Sequence, residues 1–248
     1  PAPAVASHGT ARAPSAACTT ARPVGAAITV SAPFSSTVAP VCAAAARAAG
    51  KLSAEITAVT TPDGSVVSED GCIRPETTPE GLAGLKPAFD AEGSVTAGTS
   101  SPLTDGAVAT LITTEEFAKA NGLQIMARVR SMAVSGCAPE IMGIGPVDAS
   151  RKAMARAGLT ISDIDIIELN EAFAAQGIAV LRQLGVADDD ARVNPNGGAI
   201  ALGHPLGMSG ARLVGTAMWQ LNRTGGRYAL CTMCVGVGQG IALIIERV

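Results

Sequence analysis

"IDIIELNEAFAAQGIAVLRQLG", Ile164 to Gly185, decides the fold class. "IDIIEL" (164–169) has the length and branched content of a buried strand. It passes through "NEAF", Asn170 to Phe173, into the helical run "EAFAAQGIAVLRQLG" that a glycine closes. A strand feeding a helix in this way is the unit of α/β layer structures. Working outward, the same alternation recurs. Upstream, "LQIMARVRSMAV" reads as a strand and "VDASRKAMARAG" as a helix stopped by Gly158. Downstream, a helix places Leu213, Ala217 and Leu221 on one face, and "RYALCTMCV" and "GIALIIERV" close the chain as two strands around a glycine-rich turn. Before all of these, "EITAVTTPDGSVV" reads as two short strands around a Pro-Asp-Gly turn. "TTEEFAKANG" offers a Thr cap, a Glu three residues later and a closing glycine, hence a short helix.

Composition bounds the function. Apolar residues make up 48% of the 248, so a core is available, and aromatics at 2% leave it to Ala, Val, Ile, Leu and Met. A net charge of -3 gives no electrostatic footprint for nucleic acid. No apolar run reaches the roughly 18–20 residues that span a bilayer. Six scattered cysteines in a chain of this size fit reduced thiols in a cytoplasm-like compartment.

Residues 1–50 differ in texture. They hold 18 Ala and six Pro, and no acid occurs before Glu55, so no apolar period specifies packing. A flexible tail, a shifted reading frame that rejoins the true one near Lys51, and an organelle transit peptide are the competing explanations. "CAAAARAAGK", Cys42 to Lys51, is helical on propensity alone, with Gly50 as its stop.

Three loops at element ends carry the reactive side chains. In "NEAF", Asn170 reads first as a helix cap and Glu171 as a partner of the helix dipole. In "NGGAIALGHPLGMSG", Asn196 to Gly210, five glycines surround His204. The imidazole is either structural or set where backbone and substrate approach closely, and the loop could also cradle phosphate. It lacks the Lys-Ser/Thr of a P-loop and does not match the dinucleotide fingerprint. In "CTMCVGVGQG", Cys231 to Gly240, a Cys-x-x-Cys pair without a second ligand set is a weak metal or redox signal. The better reading places Cys234 at a strand end beside glycine N–H groups, a thiol next to an oxyanion hole. Together, Asn, His and Cys suit acyl-transfer or carbon-acid chemistry on a thioester.

These blocks, with "MGIGPVDASRKAMARAGL", "GSVTAGTSSPLTDGA" and "LAGLKPAFD" upstream, resemble the thiolase family, in the 3-ketoacyl-CoA thiolase branch of fatty-acid β-oxidation. The resemblance covers residues 51–248 and implies a thiolase-like layered α/β/α fold, mainly its C-terminal half, with a mixed central sheet. It divides the chain into the low-complexity segment 1–50, a remnant of the loop region at 51–105 and a C-terminal domain at 106–248. It implies CoA-dependent cleavage of 3-ketoacyl-CoA to acetyl-CoA and a shortened acyl-CoA. Coenzyme A would be a co-substrate, with no tightly bound cofactor and no metal. His204 would activate a nucleophilic cysteine and bind the thioester oxygen. Cys234 would shuttle the α-proton, Asn170 would orient a water, and the Gly236 N–H would serve a second oxyanion hole. Ser101 would touch the pantetheine arm, and Phe89, Leu103, Met142 and Phe173 would wall its tunnel; on residue type alone those four are ordinary core. The full-length family implies a homo-oligomer or a partner in a β-oxidation complex.

One element of the pattern is missing. The family's nucleophile sits in a Cys-Gly/Ser-Ser-Gly type motif, and neither "AACTTA" around Cys18 nor "APVCAAA" around Cys42 resembles it. The chain opens on Pro1, which leads us to expect an incomplete start and an inactive isolated chain. Two other readings follow: the biosynthetic acetoacetyl-CoA branch, and a non-catalytic CoA-binding module or remnant. Ketosynthases, which use two histidines, fit less well.

Overall fold

The computed structural model describes residues 4–6 and 38–248. His8 and Cys18 lie outside the described residues.

A six-stranded mixed sheet organises the chain, in the order β4-β1-β5-β8-β7-β6. Its strands are β1 (Ala4–Ala6), β4 (Leu111–Thr113), β5 (Ile125–Gly136), β6 (Ile166–Leu169), β7 (Tyr228–Val235) and β8 (Gln239–Arg247). β6 runs parallel to β7, and the β7–β8 and β5–β8 pairs are antiparallel. Helices cover both faces. On one side lie α4 (Gly145–Ala157) and α5 (Ala174–Leu184), whose Ala149, Ala153, Val180 and Leu181 pack on Ile167, Leu169, Leu230 and Ile244. On the other lies α7 (Leu206–Thr224), whose Leu213, Ala217 and Leu221 pack on Ile166, Ala229, Cys231 and Ile245. Three layers result, as the alternation of strands and helices predicts.

The stops read at Gly158 and Gly185 hold, and Gly225 acts in the same way. The three glycines end α4, α5 and α7 in the left-handed region, at φ of 70°, 75° and 77°. The short helix α3 (Glu115–Ala120) is capped by Thr114, whose Oγ1 accepts from the Phe117 N–H. No Glu stands three residues after that cap, so the capping box read from sequence is not formed. The Pro-Asp-Gly turn joins β2 (Val59–Thr60) to β3 (Val66–Val67), both exposed.

The packed structure begins ahead of the boundary read at residue 50. α1 (Val38–Ala48) buries Ala43 and Ala46 against Leu52, Ile73 and Ala201, the last from α6 (Ala199–Leu202). The stretch 38–50 is therefore a packed helix and its close, with the helix read at Cys42 starting earlier, at Val38, and Gly50 following its end at a φ of 69°. Glycine at 197 makes this approach possible: a Cβ added there would lie 2.6 Å from the Cβ of Ala43.

Glycine also lets α4 seat on the β7–β8 turn. A Cβ on Gly240 would fall 2.1 Å from the Gly145 carbonyl carbon, and one on Gly238 2.2 Å from the Cys137 carbonyl oxygen. On the α7 side of the sheet, Met132 and Val134 remain exposed (63% and 68%), since α7 runs over β7 and β6 rather than over the end of β5.

Candidate active site

Two of the three reactive loops are joined directly. Asn170 extends β6, its N–H donating to the Thr232 carbonyl of β7 at 3.0 Å. Its completely buried side chain reaches His204, with Nδ2 3.3 Å from Nε2. The capping reading of Asn170 is corrected here. α5 starts at Ala174 behind Phe173, whose side chain supplies no cap, so the Asn170 amide is spent on the imidazole.

The other ring nitrogen is held as well. Nδ1 of His204 lies 2.5 Å from Ser209 Oγ, and that hydroxyl donates to the Pro205 carbonyl at 3.0 Å. With its proton engaged there, Ser209 accepts from Nδ1–H, which leaves Nε2 as the bare nitrogen facing the Asn170 amide. The His204 N–H donates to Thr104 Oγ1 at 3.1 Å, which ties the 99–106 loop to the histidine loop. Gly203 and Gly106 permit this approach: added Cβ atoms would lie 2.6 Å from Thr104 Oγ1 and 2.8 Å from Pro205 Cγ.

Glu171 has a different role from the dipole partner read in the sequence. It lies ahead of α5, 3% exposed, and accepts from Asn194 Nδ2 at 2.7 Å and from the Ile200 N–H at 3.2 Å. Asn194, in the left-handed region at φ 43°, also exchanges two 2.9 Å bonds with the Leu169 main chain. The Glu171–Asn194 clamp thus fixes "NEAF" against the stretch that leads to His204.

Cys234 stands on β7 two residues beyond Thr232, opposite Gly240 of β8, and is 5% exposed. Cys231 lies in the α7 cluster, its Sγ bonded to the Leu213 carbonyl. Residues three apart on a strand face opposite sides, so this Cys-x-x-Cys cannot chelate one ion or close on itself. Among the described residues no group of three or more His, Cys, Asp or Glu could hold a metal ion.

Environment sets the protonation states. Burial first, then the Arg212 charge, holds the His204 imidazole below its ordinary range. Burial pushes the Cys234 thiol up, and the nearby Cys137 thiol adds to it. At rest the site therefore offers a neutral imidazole able to accept a proton, an amide N–H beside it, and, on the strand to which Asn170 is bonded, a protonated thiol able to give one. That set can move a proton at a carbon beside a carbonyl.

The remaining candidates are placed unevenly. Ser101 binds the Ala172 carbonyl through its N–H (3.0 Å) and its hydroxyl (3.3 Å), beside "NEAF". Phe173 bridges to Ser100 and is 38% exposed, and half-buried Met142 precedes Gly143, which packs on Gln176 of α5. Phe89 and Leu103 point to solvent at 83% and 103% exposure, so within this chain they wall nothing. Gly236 lies exposed in the β7–β8 turn, its carbonyl accepting from Gln239 Nε2 at 3.1 Å. Reading the sequence missed Thr104, Ser209, Asn194, Glu168 and Arg212. Only Asn194, in "NPN", carried a local hint of a turn residue.

The sequence model described as "Thiolase, C-terminal domain" matches residues 123–247, and "Thiolase, N-terminal domain" matches 40–116. The chain belongs to the thiolase family. The second match begins inside the stretch that composition set aside. A β-ketoadipyl-CoA thiolase of Pseudomonas putida is 58% identical over 209 residues, covering 83% of this chain and 52% of the relative. A 3-ketoacyl-CoA thiolase of Aliivibrio fischeri is 58% identical over 185 residues, covering 74% and 48%. Human mitochondrial 3-ketoacyl-CoA thiolase, solved in complex with CoA, superposes with a TM-score of 0.82 at 43% identity, covering 86% of this chain and 53% of that one. This thiolase-family chain thus spans about half the length of the relatives it matches.

Proposed function

We propose that the site serves thiolase-type acyl transfer: cleavage of a 3-ketoacyl-CoA by CoA to acetyl-CoA and a shortened acyl-CoA. The observation that supports this best is the Asn170–His204 contact, tied through Thr232 to the strand that carries Cys234. In this reading, Nε2 of His204 takes the proton of a nucleophilic thiol. The resulting N–H then hydrogen-bonds the thioester oxygen. The thiolate attacks the 3-keto carbon and the C2–C3 bond breaks. Cys234 delivers its proton to the acetyl-CoA carbon left behind. Asn170 Oδ1, buried and without a protein partner among the described residues, is the acceptor that would hold a water beside His204. Gly236 would serve the acyl-enzyme, and the thiol of CoA would carry the acyl group away.

The acyl acceptor has no counterpart here, since neither Cys18 nor Cys42 sits in the nucleophile's motif. Turnover in this reading needs a thiol that these 248 residues do not provide. A homo-oligomeric or complexed state and a reducing, cytoplasmic setting belong to the same proposal.

The names of the relatives favour a second reading for the acyl end. They include β-ketoadipyl-CoA thiolases, whose named substrate ends in a carboxylate, beside 3-ketoacyl-CoA thiolases. Calorimetric titration of the chain with β-ketoadipyl-CoA, 3-ketooctanoyl-CoA and acetoacetyl-CoA separates these readings by which binds best. Failure of all three, and of CoA, to bind would count against a thioester site. Thiolysis abolished by Cys18→Ala or Cys42→Ala would overturn the missing nucleophile.

A further inference from the structure

His204 is held at three points, and the third comes from a distant part of the chain. Its ring is gripped by Asn170, which follows β6, and by Ser209 in the first turn of α7. Those two elements are themselves joined, since Arg212 Nη1 of α7 meets Glu168 Oε2 of β6 at 3.0 Å. The main chain that carries the imidazole has less support from its own neighbours. The Gly203 N–H is spent on the Ala199 carbonyl at 2.9 Å, and Pro205 has no N–H. Between them the His204 N–H is the one main-chain donor. It goes to Thr104 Oγ1 at 3.1 Å, 100 residues away in sequence.

Thr104 sits on a strap, residues 99–106, that is fastened at both sides of the site. Its first part pairs antiparallel with the chain just after Asn170 and Glu171. The Ala174 N–H donates to the Thr99 carbonyl at 2.8 Å, the Ser101 N–H donates to the Ala172 carbonyl at 3.0 Å, and Ser100 bridges to Phe173. Its second part closes on the histidine loop. Gly203, at φ 89°, leaves room for the Thr104 side chain, and Gly106 lies so near α7 that a Cβ there would stand 3.3 Å from Met208 Cε. The Thr104 hydroxyl gives its own proton to the Pro102 carbonyl at 3.4 Å, which leaves its lone pairs for the His204 N–H. One short run of chain thus reaches from the backbone behind Asn170 to the backbone on both sides of His204.

We propose that Thr104 is a positioning residue: its hydroxyl sets where the His204 main chain stands, and so aims Nε2 at Asn170. The Ser209 contact fixes one ring nitrogen and lets the imidazole swing about it. Fixing the main chain as well determines where the other nitrogen points. The contact it must preserve is sensitive, because 3.3 Å between Asn170 Nδ2 and Nε2 is already long for a hydrogen bond, and a small backbone displacement breaks it. Ser101 rides on the same strap, beside "NEAF", so the base and that serine share one piece of chain. The inference takes its significance from the thiolase reading, but its test needs no substrate and can fail independently of that reading.

The experiment is NMR of the ligand-free 248-residue chain with labelled histidine, in a His8→Gln background that leaves one histidine. Thr104→Val removes the hydroxyl at nearly constant shape. It should shift the His204 amide signal, speed its exchange with solvent roughly three- to tenfold, the factor for one hydrogen bond, and move the ring nitrogen signals. Thr104→Ser, which keeps the hydroxyl, should stay near the parent chain in all three. Unchanged ring signals in folded Thr104→Val overturn the proposal even if the amide moves, since Thr104 would then anchor the loop without orienting the ring. Equal changes in the Val and Ser variants overturn it as well, by assigning the effect to shape and not to the hydrogen bond. Should Thr104→Val lose its native circular dichroism, Thr104→Ala against Thr104→Ser decides, a pair that differs only in the hydroxyl: distinct ring signals support the proposal and identical ones overturn it.

Discussion

Ser209 Oγ lies 2.5 Å from Nδ1 of His204, and its own proton is already given to the Pro205 carbonyl. A hydroxyl donating to that carbonyl accepts from the ring, an arrangement that favours the Nδ1–H tautomer and aims the free nitrogen at Asn170. Ser209→Ala should release that choice. Ring nitrogen shifts should change from a single Nδ1–H form to a mixture, and the fold should lose about 1 kcal/mol for one hydrogen bond in the interior. Unchanged ring shifts would mean that another contact sets the tautomer.

The clamp between Glu171 and Asn194 should matter more. Asn194→Ala removes the Asn194 Nδ2–Glu171 bond at 2.7 Å and the two bonds to Leu169, and leaves alanine at a positive φ. A loss of about 1–3 kcal/mol is expected from the buried groups left unpaired. Urea midpoints measure it, and a change below about 0.5 kcal/mol, the range of an ordinary surface substitution, would show that the clamp does not hold the two loops together.

Stability should also depend on pH through Glu168. Its folded value, about 8, lies above its ordinary 4.5, so the folded state binds the proton more tightly than the unfolded one. That contribution is full below about 4.5 and is lost as pH rises through about 8. His204, held below 6.5, acts in the opposite sense: its contribution is present above 6.5 and lost as pH falls. Thermal melts from pH 5 to 9 should show a decline towards the alkaline end that Glu168→Gln flattens. An equal decline in the variant would assign it to other groups.

Thiol chemistry should follow exposure. Cys137 is half-buried, Cys234 is 5% exposed and raised by burial, and Cys231 is 4% exposed and raised far more. Alkylation at neutral pH, followed by mass spectrometry, should label Cys137 ahead of Cys234, and Cys231 after both. Early labelling of Cys231 would contradict its place under α7.

Much of this architecture was legible in the sequence because it depends on local signals. Leu213, Ala217 and Leu221 announced the buried face of α7, and the closing glycines marked helix ends where only a positive φ continues the chain. Asn170 was ambiguous for a physical reason: an asparagine ahead of a helix is also a good cap. Its role is settled by a histidine 34 residues away. The Glu168–Arg212 pair spans 44 residues and has no local signature at all. The alanines of α1 looked like low complexity because small side chains give a weak hydrophobic period. They pack only because Gly197 and α6 come close enough to meet them. Phe89 and Leu103 face solvent in this chain, and an apolar residue in a loop does not say what it faces.

The most direct test of Asn170, His204 and Cys234 as a single thioester site is α-proton exchange, a partial reaction that needs no nucleophilic cysteine. The chain is incubated with acetyl-CoA in D2O, and deuterium entering the acetyl methyl group is followed by mass spectrometry. Exchange faster than in buffer, lost in Cys234→Ala and sharply reduced in His204→Ala and Asn170→Ala, is the predicted result. Exchange at the buffer rate by a folded chain that binds acetyl-CoA, or exchange indifferent to Cys234→Ala, would contradict it.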